Sequence, residues 1–90
     1  MSDQAVFDAL KYRIEVDGYG NRLYYNSAGL LHRDDGPAIE YPDGSKSWCQ
    51  NGRLHRIDSP AVEWWNGDKA WYINGEELTE SEFNQRVKSL

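Results

Sequence analysis

Two stretches decide the fold: GLLHRDDGPAIEYPDGSKSWCQN (residues 29–51) and GRLHRIDSPAVEWWNGDKAWYIN (residues 52–74) lie over one another without a gap, with twelve of 23 positions identical. Leu31-His32-Arg33 meets Leu54-His55-Arg56, Pro37-Ala38 meets Pro60-Ala61, and Trp48 meets Trp71. A fixed period of this length means stacked copies of one supersecondary unit. Each unit reads as two short strands. Ala38–Tyr41 is followed by the turn residues Pro42-Asp43-Gly44-Ser45 and a return strand Lys46–Gln50. Asn51-Gly52 then turns the chain again, because both residues tolerate positive φ. Ala61–Trp65, Asn66-Gly67, Lys69–Ile73 and Asn74-Gly75 repeat the pattern.

The array decays outward from this pair. Residues 11–28 form a degenerate first unit, with Tyr25 at the Trp position and Tyr12, Ile14 and Val16 alternating with Lys11, Arg13 and Glu15. Downstream, Leu78-Thr79 replaces the His-Arg pair. Atypical terminal units are what a stacked array needs where its end faces meet water. Thr79-Glu80-Ser81-Glu82 is a capping box. Phe83, Val87 and Leu90 recur at i, i+4, i+7, which predicts a cap helix over 79–88. A second short helix over Asp3–Leu10 is compatible with the sequence. The expectation is mainly β: one antiparallel meander of about six strands in a single domain (residues 1–90), with the C-terminal helix covering its apolar face.

Composition narrows the function classes. Twelve aromatics, four of them Trp, accompany only 15 Leu, Ile or Val, which excludes a disordered chain. No apolar run reaches membrane-spanning length, and Met1-Ser2-Asp3-Gln4 opens no secretory signal. The lone Cys49 fits a reducing, cytoplasmic setting. Fifteen acids against ten bases give a net charge of −5, so neither duplex DNA nor an anionic membrane is an expected partner.

The aromatic strand, the Asn-Gly turn and the following His55 give the unit a resemblance to the MORN repeat, a two-stranded β unit stacked into an elongated sheet. The resemblance covers roughly residues 12–78 and rests on Asn51-Gly52-Arg53-Leu54-His55 with Gly44 or Gly67 before it. Arg33 and Arg56 stand where a MORN unit has Gly. The resulting His-Arg-x-Asp-Gly-Pro-Ala loop is similar to a repeat of small phage and prophage proteins. That resemblance implies a phage-encoded protein, and MORN modules imply assembly or docking.

The chemical candidates are the two loops His32, Arg33, Asp35 and His55, Arg56, Asp58. A His oriented by Asp is acid–base chemistry, yet duplication at matched positions favours a structural role in every rung, with Asp bonding turn backbone and Arg pairing with Glu40 or Glu63. A zinc site using both His with Asp35 and Asp58 needs the rungs at strand spacing, and no close ligand pair supports it; no cofactor is expected. Cys49 reads as a small buried residue.

Adjacent strand residues point to opposite faces, so Trp64 and Trp65 diverge. Trp64 shares a face with Val62 and is expected in the core, while Trp65, Tyr72 and Tyr24 are candidate interface residues. The favoured function is a non-catalytic protein-interaction module, a phage protein that modulates a host factor. The alternative is an acidic decoy of nucleic acid presenting Asp34, Asp35, Glu40, Asp43, Asp58, Glu63 and Asp68. A metal-assisted enzyme is third.

Overall fold

The two Asn-Gly pairs turn the chain as their sequence predicts. In the computed structural model, which describes residues 11–90, Asn51 and Asn74 hold φ of 50° and Gly52 and Gly75 hold φ of 83°. Two consecutive left-handed residues make the tight hairpin turn whose twist matches paired strands. The helix expected over Asp3–Leu10 lies outside the described residues.

The chain runs through β1 (Arg13–Val16), β2 (Arg22–Tyr25), β3 (Ile39–Glu40), β4 (Lys46–Ser47), β5 (Cys49–Gln50), β6 (Arg53–Leu54), β7 (Val62–Glu63), β8 (Lys69–Ile73), β9 (Glu76–Leu78) and α1 (Glu80–Lys88). Seven strands form one antiparallel sheet in the order β1-β2-β3-β4-β7-β8-β9, and β5-β6 is a separate hairpin. The return strand of the first full unit divides at Trp48. Its first half pairs with β3 and β7, and its second half folds back on the residues after Asn51-Gly52. That division, with the extra strand β9, raises the strand number above six.

The 23-residue period holds at the level of hydrogen-bond register. Ile39 opposite Ser47 and Glu40 opposite Lys46 reappear as Val62 opposite Ala70 and Glu63 opposite Lys69. Cys49 opposite Leu54 reappears as Tyr72 opposite Glu77. The degenerate first unit is shifted by one residue. His32 N–H bonds the Tyr24 carbonyl where His55 N–H bonds that of Trp48, so Tyr24, not Tyr25, occupies the Trp position. The longer turn at Asn26–Leu30 supplies the additional residue, held by two backbone N–H bonds to the Asn26 side-chain oxygen.

Two rows cross the strands. Leu23, Ile39, Ser47, Val62 and Ala70 line one face. Arg22, Glu40, Lys46, Glu63 and Lys69 line the other, so charge alternates in sign at every strand pair. Each opposite-charge neighbour stabilises by roughly 0.2–1 kcal/mol. A slip of one residue would bring apolar residues onto the charged row and lose every pair.

Different devices close the two ends. Buried Tyr12 meets Tyr24 edge-on with ring centroids 6.0 Å apart, and its hydroxyl accepts the Asp34 N–H at 2.9 Å. At the far end Phe83, buried on α1, joins Ile73 and Leu78, with Trp71 and Val87 packed alongside. The Thr79 capping box forms as its sequence predicts, with the Glu82 carboxylate accepting the Thr79 N–H at 2.8 Å. Leu90 does not join the stripe: it lies beyond the C-cap Ser89 and is 76% exposed. The helix packs at one end of the array, while in the Leu23–Ala70 row Ser47, Val62 and Ala70 are buried and Leu23 and Ile39 half-buried.

Candidate functional site

The two His-Arg-x-Asp loops are successive rungs of one ladder. Arg33 lays its guanidinium 4.0 Å from the Tyr24 ring centroid, and Arg56 lies 3.8 Å from that of Trp48. Each Arg then bonds the loop that follows it. Arg33 reaches Asp35 at 3.2 Å, the Pro37 carbonyl at 3.3 Å and Glu40 at 3.8 Å. Arg56 reaches Asp58 at 2.9 Å, the Pro60 carbonyl at 3.1 Å and Glu63 at 3.4 Å. The pairing of Arg with Glu40 and Glu63 is as the sequence suggests. The acceptor role of Asp58 differs, because its carboxylate receives the Arg56 Nε–H instead of turn backbone: a charged donor two residues away forms the stronger bond.

His32 Nδ1 accepts the Asn51 N–H and His55 Nδ1 accepts the Asn74 N–H, each at 3.0 Å. Each His therefore fastens its own rung to the left-handed Asn of the next hairpin. The other nitrogen of His32 meets Asp34 at 3.0 Å, while Ile57 stands at the matching place beside His55. Asp34 also binds Lys11 at 2.8 Å and accepts a bond from Gln50, and these contacts, Lys11 foremost, hold its carboxyl below the usual range. A groove of about 710 Å³ separates the loops, bordered by Arg33, Asp35, Trp48, His55, Arg56 and Asp58. Among the described residues no group of three or more His, Cys, Asp or Glu is placed to hold a metal ion. Cys49 is buried, and burial pushes its thiol up to about 11.

The opposite face carries a second groove of about 370 Å³, lined by Tyr41, Asp43, Ser45, Ser47, Val62, Trp64 and others including Leu54 and Tyr72. The Trp65 N–H donates to the Ser45 hydroxyl at 2.9 Å, tying the turn after β7 to the floor. No family model, curated protein or solved structure matches this chain.

The aromatic candidates sort differently from expectation. Tyr24 is 4% exposed, buried beneath Arg33 and against Tyr12, and so is not an interface residue. Trp65 is 68% exposed and Tyr72 half-buried on the groove wall. Trp64 is 44% exposed instead of buried. It does follow Val62 on the alternation, but β7 ends at Glu63, so Trp64 sits in the turn beyond the strand, its N–H on the Asp68 carbonyl, and its ring stays partly in water. Tyr41 and the buried Ser45 and Ser47 were missed as site residues. The available signal was the repeat itself, which sets Tyr41 over Trp64.

Proposed function

We propose that this chain is a non-catalytic module that docks a partner protein through the exposed aromatic residues Trp64 and Trp65 beside the groove of its sheet. The observation that carries the reading is the pair Trp64 and Trp65, adjacent and both solvent-exposed at one turn, beside a groove walled by Tyr41 and Tyr72. Large aromatic side chains left in water at a groove are the residues whose burial dominates binding energy. The chemical groups of the other face are occupied in building the rungs: both His rings accept backbone N–H bonds, and both Arg side chains are bonded to Asp, carbonyl and Glu. Most spaced carboxylates of an acidic decoy, Asp34, Asp35, Glu40, Asp58 and Glu63, are likewise paired with cations, which weighs against presentation to a basic protein. The resemblance of the loops to phage repeats supports a host-cell protein as the partner.

The test is affinity capture from bacterial lysate on immobilised protein, comparing the native chain with the double variant Trp64→Ala/Trp65→Ala. A protein held by the native chain and lost with the double variant at unchanged melting temperature supports the reading. Capture that both proteins perform equally overturns it.

A further inference from the structure

The groove has a repeat distance of its own. Tyr41 and Trp64 follow β3 and β7 by one residue each, and β4 alone separates those strands. At a strand spacing of ~4.8 Å, the two equivalent rings stand roughly 9.6 Å apart. A polyproline-II helix completes a turn every three residues at ~3.1 Å each, a repeat of roughly 9.3 Å. Prolines at positions one and four of such a segment, laid across the strands, therefore meet Tyr41 and Trp64 in turn.

The polar groups agree. A polyproline-II segment bonds none of its own carbonyls, and its recognition sites pair aromatic walls with donors aimed at them. Among the described residues, the Trp64 indole N–H and the Tyr72 hydroxyl bond no other group, and both residues line the groove. Its floor is small and polar, Ser45 and Ser47, each close to 5% exposed or below, and the Tyr41 hydroxyl reaches Ser47 Oγ at 3.5 Å. Asp43 borders the groove, and the chain carries a net charge of −5, which favours basic flanks on the ligand.

We propose that the Tyr41–Trp64–Tyr72 groove binds a polyproline-II segment of a partner protein, with Pro-x-x-Pro spacing and flanking basic residues. The proposal rests on the docking-module reading and names its ligand.

The probe is a synthetic Pro-x-x-Pro-x-x-Pro peptide flanked by arginines, titrated into the full chain and followed by Trp emission and amide NMR shifts. Saturable binding is expected, with shifts concentrated on residues 41–47, 62–65 and 72. Trp64→Ala weakens binding by about tenfold or more. Tyr72→Phe, which keeps the ring and removes the donor, weakens it about threefold. Tyr19→Ala, at a fully exposed turn outside the groove, leaves it unchanged. Should Trp64→Ala melt early, Tyr72→Phe and a peptide with Pro replaced by Ala carry the same comparison. Absence of saturable binding, equal affinity for the Ala peptide, or shifts produced instead by a cello-oligosaccharide or single-stranded DNA overturns the proposal. If lysate capture still depends on Trp64 and Trp65 while the peptide fails to bind, the docking module stands and the proline ligand falls.

Discussion

Replacing Arg56 by Ala removes four interactions at once, and the structure lets the loss be sized. The guanidinium lies over the Trp48 ring, and its N–H groups serve Asp58, the Pro60 carbonyl and Glu63, with the side chain 21% exposed. The ring contact contributes roughly 0.5–2 kcal/mol at partial burial. Hydrogen bonds involving a charged partner contribute roughly 1.5–3 kcal/mol each when well shielded, less here because Asp58 is largely in water. The groups share one side chain, so their contributions do not simply add. A loss of roughly 2–4 kcal/mol is expected. For a domain of this size each kcal/mol lowers the melting temperature by roughly 4–8 °C. The chain is expected to stay folded, since domains of this length are stable by roughly 5–13 kcal/mol. Urea denaturation followed by circular dichroism measures the difference. Arg56→Lys should recover less than half of it, because an ammonium lacks the planar fork that stacks and bonds together. A loss below ~0.5 kcal/mol for Arg56→Ala would refute the view that the Arg rungs hold successive units together.

Gly52→Ala should cost about 1–2 kcal/mol through backbone strain alone, since φ is 83° and the nearest atom to an added Cβ is Leu30 Cδ2 at 3.6 Å, while Gly18→Ala, with open space around it, should be neutral in the same denaturation assay. Thr79→Ala should destabilise by about 1 kcal/mol by uncapping α1. The bonds from Thr79 hold the Glu82 carboxyl below its usual value, so its contribution is present above the ordinary Glu range and is lost as pH falls through the lowered value; amide protection factors, corrected for intrinsic exchange at each pH, should fall first in the opening turn of α1. Cys49, with its thiol pushed up to about 11, should react with a disulfide reagent at pH 8 far more slowly than a small thiol, and at the ordinary rate once urea unfolds the chain. Rapid labelling of the folded protein would contradict its burial.

The repeat, its turns and its helical cap are written in local sequence. Left-handed Asn-Gly pairs, Pro-Asp-Gly turns and the Thr79–Glu82 box act within a few residues, where steric limits on φ and short hydrogen bonds leave little choice. Matched spacing of His, Arg and Asp shows equally directly that the loops repeat. Tertiary structure decided everything that depends on which unit lies beside which. Tyr24 takes the Trp position because the first hairpin is one residue longer, and that slip becomes visible only when His32 finds its carbonyl. Asp58 bonds Arg56, not backbone, because the guanidinium is already fixed over Trp48 by the neighbouring strand. The Trp64 assignment failed for the same reason. Period-two alternation tells which face a side chain takes, but not whether another layer covers that face. Here Val62 is 8% exposed, while Trp64, two residues on and in the turn beyond β7, is 44% exposed. Burial is a property of the neighbours a side chain acquires from distant sequence, and no local pattern carries it.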